Sequence, residues 1–408
     1  MQTNLADFIR NSADGEEADR ILRTCVHCGF CLATCPTYQI LGDELDSPRG
    51  RIYLMKQMLE GATVTLKTLS HLDRCLTCRN CETTCPSGVQ YGKLIDIGRR
   101  IAEAKVTRPP MQQLQRKALA KFLPQQKLFG GALKLGRMAK PFLPAALAGK
   151  IPSTSAPSPS PSPLPAKHAR KMLALAGCVQ PALAPQINAA ARRVLDAIGI
   201  SLFEEANAGC CGAVSFHLNF QEEGLAAMRR NIDAWWPHIE AGAEAIVMTA
   251  SGCGVTVKEY GHYLRHDPAY AEKAARVSAL TRDLSEVLLQ EEVALRGWLE
   301  KRGPAQGRNV SFHSPCTLQH GQKIIGVVEA LLTAAGHSVL PVSESHLCCG
   351  SAGTYSLLEP EISAQLRDRK LGHLSAPQPE VIATANIGCL THLQSGTQTP
   401  VKHWVELL

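Results

Sequence analysis

CVHCGFCLATCP, residues 25–36, returns fifty positions later as CLTCRNCETTCP, residues 75–86, with every cysteine and the proline in the same place. Both read C-x2-C-x2-C-x3-C-P, the run that ligates [4Fe–4S] clusters. Two-residue spacers let three thiolates converge on one face of a cube. The fourth must approach from elsewhere, and in this pattern it serves the other cluster. The expectation is one cluster on Cys25, Cys28, Cys31 and Cys85, and a second on Cys75, Cys78, Cys81 and Cys35. Pro36 and Pro86 stop the chain from continuing as helix where the fourth cysteine turns away. Structural zinc or buried free thiols are the alternatives. Zinc sites pair C-x2-C units, however, and two identical four-membered runs leave no cysteine over. Paired clusters move electrons between partners and bind no substrate of their own.

The other eight of the 16 cysteines form an internal repeat. Cys178 is followed 32 residues later by Cys210-Cys211-Gly212, and Cys316 is followed 32 residues later by Cys348-Cys349-Gly350. The halves close alike, with IVMTASGC ending at Cys253 and VIATANIGC ending at Cys389. Between first cysteine and doublet each half carries a helical apolar pattern, ARRVLDAIG or VEALLTAAG, ending at Gly199 or Gly336. Short apolar runs such as KMLALAGC and EAIVMTASGC read as buried strands ending in a cysteine loop. Strand, helix, strand, loop, helix, strand predicts two similar α/β units with parallel strands, whose ligand sites gather at the carboxyl ends of the strands. Cys178, Cys210, Cys211 and Cys253, and Cys316, Cys348, Cys349 and Cys389, are therefore further candidate metal ligands, four per half. A third iron–sulfur site, zinc, a redox dithiol pair and plain packing of small buried thiols are all open at this point. His217, His313, His320, His346 and His392 flank these loops and read as supporting or surface groups, with proton coupling as the sharper alternative. HYLRH places His262 and His266 on one helix face, without the glutamate of a zinc protease.

The expected fold class is thus α+β and multidomain: a mainly helical two-cluster ferredoxin-like domain followed by a duplicated α/β cysteine-rich (CCG) domain. Boundaries are expected at 1–105 for the two-cluster domain, 106–166 for a basic amphipathic segment and Pro/Ser linker, 167–300 for the first CCG repeat and 301–408 for the second. The linker rests on STSAPSPSPSPLPA, whose alternate prolines favour extended chain. In the first domain, SPRGRIYLMKQMLEG predicts a helix with Ser47 as N-cap, Pro48 at the first turn and Gly61 as stop.

Charge is unevenly placed. From Ala104 to Leu195 there are 15 Lys or Arg and no Asp or Glu, and subtracting those from the net +7 leaves the remainder of the chain at −8. The basic stretch interleaves apolar and cationic residues, as an interfacial helix or a surface facing an acidic partner would. No recognition module accompanies it, so no nucleic-acid partner is expected. No apolar run approaches the 18 residues of a bilayer span, and MQTNLADFIRNSADGEEADR has no signal-peptide core, so a cytoplasmic chain is expected. In that compartment clustered thiols bind metal or do redox work rather than form disulfide scaffolds. There is no G-x-G-x-x-G after a strand, no P-loop and no G-x-S-x-G, so no nucleotide, flavin or hydrolase site is expected in this chain.

Taken together, CVHCGFCLATCPTYQILGDELDSPRGRIYLMKQ, CLTCRNCETTCPSG, AGCCGAVSFHLN, ASGCG, HLCCGSAGTY and TANIGC resemble the iron–sulfur subunits of bacterial glycolate oxidase (glycolate dehydrogenase), over nearly the whole chain except the linker. The layout alone is shared with the iron–sulfur subunits of glycerol-3-phosphate and lactate oxidation, and CCG domains occur in heterodisulfide reductase. The resemblance implies an electron-transfer subunit with two [4Fe–4S] clusters. Flavoprotein partners would oxidise glycolate to glyoxylate, and a quinone or membrane acceptor would lie downstream. It also implies peripheral association with the inner membrane. A related glycerol-3-phosphate or lactate complex, or a CCG-type thiol/disulfide reductase, is the alternative. In heterodisulfide reductase the closing cysteine belongs to a C-x-x-C pair, whereas SGCG and NIGC each hold one.

Overall fold

A computed structural model describes residues 1–140, 167–303 and 307–408. The chain forms two compact units, Met1–Lys117 with His346–Lys370, and Ala118–Ser345 with Leu371–Leu408. The Pro/Ser linker expected up to residue 166 lies outside the described residues.

The N-terminal part of the first unit is helical. Ser12 caps the Ala13–Thr24 helix by accepting from the Gly15 amide at 3.1 Å. Ser47 caps Pro48–Leu59 in the same way, accepting from Gly50 at 3.0 Å, with proline in the first turn. That helix ends at Leu59, and Gly61 follows at φ +100°. Tyr91–Lys105 packs its apolar stripe against these two, and Leu22, Met55, Leu59, Leu72, Leu94 and Ile95 are in the resulting core. Between the long helices run the two cysteine loops, each followed by one short helix, Phe30–Ala33 or Asn80–Thr84.

The second unit holds two four-stranded parallel sheets. In the first, β1 (Arg170–Ala174), β2 (Ile200–Glu204), β3 (Ile246–Met248) and β4 (Thr281–Asp283) lie in the order β2-β1-β3-β4. The second has β5 (Asn309–His313), β6 (Ser338–Leu340), β7 (Val381–Thr384) and β8 (Val401–His403) in the order β6-β5-β7-β8. The registers correspond, Arg170 opposite Ile200 and Asn309 opposite Ser338. One apolar cluster takes residues from both sheets, including Val247, Leu288, Val310, Leu331, Val381 and Trp404, so the two repeats bury a common core. Their β3 and β7 loops are also joined. Ser251 N donates to Ala385 O at 3.1 Å, and the His403 ring nitrogen lies 2.8 Å from Thr249 O.

The fourth strand of each half goes beyond the three that the apolar runs predict. TRD and VKH are too short and too polar to show as apolar runs, and each forms because its edge pairs with the strand before it. The expectation for HYLRH needs correction. The helix is only Tyr260–Tyr263, and His266 stands exposed beyond it in a turn. Asp267-Pro268 follows, and the residue before a proline avoids the helical region, so the pattern cannot extend as one face.

Candidate metal centres

Each N-terminal run curls by the same backbone device. His27 (φ 56°) and Gly29 (φ 88°) bracket Cys28, and Thr77 (φ 53°) and Arg79 (φ 60°) bracket Cys78, all left-handed. Alternating handedness coils three thiols inward and turns amides toward sulfur: Thr77 N donates to Cys75 Sγ at 3.4 Å. Three of the four left-handed residues are not glycine, a local cost that a packed ligand set can hold in place. Cys35 and Cys85 fall at the ends of the short helices, each ahead of its proline. Pro36 does end the first helix there, but it also opens a new one, Pro36–Leu41.

Two cavities result. One is lined by Cys25, Cys28, Cys31 and Cys85, the other by Cys35, Cys75 and Cys78, and Cys81 borders both. Burial pushes the Cys25 thiol up, the His27 amide opposes this, and Cys85 and Cys28 add to the rise. Cys31 is pushed up to about 11, by burial and then by Cys25, with Cys35 and Cys85 contributing. Cys81 is raised by burial, then by Cys78 and Cys75, with Cys35 contributing. Four thiolates this close repel one another unless a cationic core sits among them, and four sulfurs is the donor set that a [4Fe–4S] cluster takes.

Around the second cavity stands a polar scaffold that no motif announces. Tyr91 Oη donates to Cys75 Sγ at 3.6 Å, and Thr37 Oγ1 lies 3.3 Å from Cys35 Sγ. Arg51 donates to Thr37 Oγ1 at 3.1 Å and to His71 O at 2.6 Å, and pairs with Asp46 at 3.3 Å.

In the first CCG half all four cysteines come together at the carboxyl ends of the strands. Cys178 follows β1, Cys210 and Cys211 follow β2, and Cys253 lies in the Ser251–Lys258 helix after β3. Their thiols act on one another in the order Cys178, Cys210, Cys211, Cys253. Cys210 is held well below its usual range by bonds from Cys178 and Cys211, with the Gly212 amide and Arg230 helping. Cys178 is raised by Cys210 and by burial, and Cys211 by Cys210 and Cys253. Asn231 fixes the turn, accepting from Gly209 N at 2.9 Å and donating to Cys210 O at 2.9 Å, while Tyr260 Oη donates to Cys211 O at 2.8 Å.

The glycine after each doublet is required twice over. Gly212 and Gly350 have φ of +94° and +87°, and a Cβ there would lie 2.6 Å from Gly224 O or Ser363 O. Their amides donate to Cys210 Sγ at 3.5 Å and Cys348 Sγ at 3.4 Å, so the two turns share one geometry. Cys316, Cys348, Cys349 and Cys389 are all buried. Asn386 donates to Cys389 Sγ at 3.5 Å and accepts from Gly252 N at 3.4 Å, linking the closing loops of the two halves. Among the flanking histidines His313 and His320 are buried, and a His313 ring nitrogen lies within 4.8 Å of Cys389 Sγ. His217, His346 and His392 are half-buried. The sequence reading missed Arg51, Thr37, Tyr91, Asn231 and Asn386. Arg51 alone left a trace, as a cation on the apolar side of a predicted helix.

A two-cluster helical module joined to paired parallel-sheet cysteine-rich domains defines an iron–sulfur electron-transfer protein. Family comparisons agree: residues 21–89 match the 4Fe-4S dicluster domain, and residues 172–258 and 310–394 each match the cysteine-rich (CCG) domain. The dicluster match, with its eight cysteines, implies two [4Fe–4S] clusters. The glycolate oxidase iron-sulfur subunit of Escherichia coli K12 is 55% identical over 100% of this chain and 98% of its own length. A probable glycolate oxidase iron-sulfur subunit of Bacillus subtilis is 29% identical over 92% and 89%. Lactate utilization protein A of Geobacillus kaustophilus is 28% identical, but over only 55% of this chain. The chain belongs to the family of glycolate oxidase iron–sulfur subunits.

Proposed function

We propose that this chain is the electron carrier of a glycolate-oxidising complex, taking electrons from flavoprotein partners that convert glycolate to glyoxylate and passing them toward the quinone pool. Two cavities, each edged by three thiols of one run and the fourth of the other, carry the reading. Cys25, Cys28, Cys31 and Cys85 hold one cluster, and Cys75, Cys78, Cys81 and Cys35 hold the other. These clusters supply one-electron carriers where flavin chemistry delivers electrons in pairs. Cys178, Cys210, Cys211 and Cys253 form a further metal site, and Cys316, Cys348, Cys349 and Cys389 a pseudo-symmetric second one. The chain works on the cytoplasmic side, attached peripherally to the inner membrane. No helix among the described residues is long and apolar enough to cross a membrane, so attachment would be through surface or partner. Reconstituted chain given glycolate and an artificial dye should not reduce it, and adding the flavoprotein should start glycolate-dependent quinone reduction. Dye reduction by the chain alone would overturn the reading.

The meeting of four thiols, Cys178, Cys210, Cys211 and Cys253, at the carboxyl ends of the first sheet's strands favours one second reading, a CCG-centred thiol/disulfide reductase. In that case metal-free protein would retain disulfide-reducing activity that Cys210→Ser abolishes.

A further inference from the structure

The two N-terminal cluster positions are not electrostatically equivalent. In the first set Cys28 is exposed and Cys31 and Cys85 are half-buried, and the nearby Val26 and Phe30 are 66% and 61% exposed. The arginine lining that cavity, Arg49, reaches solvent and is paired with a half-exposed Glu44 at 2.8 Å. In the second set Cys35, Cys75 and Cys81 are buried. An electron added there raises negative charge in a poorly solvated place, and burial alone would make that cluster hard to reduce.

Arg51 offsets this. Its side chain is 1% exposed, lines the second cavity, and sits on Asp46, which is 0% exposed. Burial works against its charge, but Tyr91, Cys75, Cys35 and Asp46 hold it cationic. Asp46 cannot neutralise its surroundings, because Arg74 also pairs with it at 3.0 Å, and Arg99, itself buried, donates to Cys75 O at 2.6 Å. The Arg51 guanidinium also reaches the ligand set through one hydroxyl, donating to Thr37 Oγ1, which lies against Cys35 Sγ. Thr37 gives its own hydrogen to Asp46 O at 2.9 Å, so its hydroxyl oxygen is held between the Arg51 guanidinium and Cys35 Sγ and places that positive charge one group away from the sulfur.

We infer that Arg51 is a tuning residue that raises the reduction potential of the cluster on Cys75, Cys78, Cys81 and Cys35, keeping the more buried position reducible. This rests on the proposed ligand sets. The step is a one-electron addition in which no bond breaks and no proton moves. Dithionite with redox mediators supplies the electron in the test.

In the full chain with clusters loaded, EPR-monitored redox titration of Arg51→Gln should lower one midpoint so that the oxidised-to-reduced ratio changes at least tenfold, about 59 mV for one electron. The other midpoint should hold. Arg51→Lys should recover much of the shift, which a purely structural role would not give. If Arg51→Gln fails to load iron, Arg74→Gln, acting on the same Asp46, should give a smaller fall at the same signal. Cys78→Ser identifies which signal belongs to the second set. Loss of neither signal in Cys78→Ser would overturn the ligand sets themselves. Unchanged midpoints in loaded Arg51→Gln, or equal shifts of both, would overturn the role of Arg51 while leaving the ligand sets standing.

Discussion

Cys28 and Cys78 occupy equivalent places between two left-handed residues, yet they border different cavities. Cys28→Ser and Cys78→Ser should therefore each remove chiefly one cubane EPR signal, and quinone reduction by the complex should fall with either. Unchanged spectra in both would refute the assignment. Glycine is decisive at the doublets: Gly212→Ala or Gly350→Ala places a methyl 2.6 Å from a carbonyl oxygen at positive φ. A cost of about 1–3 kcal/mol is expected, with loss of metal from that half and intact N-terminal signals. A third pair of residues sets pH response. Asp283 and His403 hold the same place, ending the fourth strand and capping the turn after it. Burial lowers His403 to about 4, so between 6.5 and 4 the unfolded chain binds a proton the folded one refuses, and stability falls as pH falls. Burial raises Asp283 to about 6, so between 6 and 3.8 the folded chain binds a proton first, and stability rises as pH falls. Each is worth about 3 kcal/mol at most, with opposite sign. Urea midpoints at pH 7 and 5 should show Asp283→Asn losing stability more steeply than the parent on acidification, and His403→Gln less steeply.

At the level of elements, the described part of the basic middle segment, up to residue 140, is mainly helical. Pro110–Phe122 and Gln126–Ala139 are helices, and Leu128, Leu135 and Met138 of the second are 58%, 68% and 74% exposed beside Lys127, Lys134 and Arg137. An apolar stripe edged by cations, without acidic residues, suits an anionic surface, and its attraction is screened by salt. Neutralising Lys121, Lys127, Lys134, Arg137 and Lys140 together should release the chain from membranes or from its partner, with wild-type binding falling steeply as salt rises. Fractionation and complex recovery unaffected at low salt would make the segment a solvated spacer.

For the whole molecule, the duplication predicts metal content. If each CCG half holds a four-iron cluster, iron per chain rises from ~8 toward ~16. If zinc fills both, iron stays near ~8 with zinc added. Changing Cys210 and Cys211, or Cys348 and Cys349, to Ser should lower bound metal and leave the N-terminal spectra unaltered. Full activity with unchanged iron and zinc in both double variants would mean that the turns only pack the fold.

Much of this was legible in the sequence because cluster ligation and strand–loop–helix repeats depend on spacing along the chain. The C-x2-C runs, the 32-residue intervals and the glycine stops carry that spacing in plain view. So do Ser47 and Pro48, whose capping acts on the next few residues. TRD and VKH became strands only because a neighbouring edge offered hydrogen bonds, and HYLRH lost its helical face to the turn beyond it. Thr37 is beside Cys35 because it follows two residues later, but Arg51 and Tyr91 come from other helices, and nothing in their local sequence places them near Cys35 and Cys75. Ligand identity is a one-dimensional pattern that the chain specifies by itself. The charge and hydrogen bonds that tune those ligands are summed over groups distant in sequence, and only tertiary packing brings them within range.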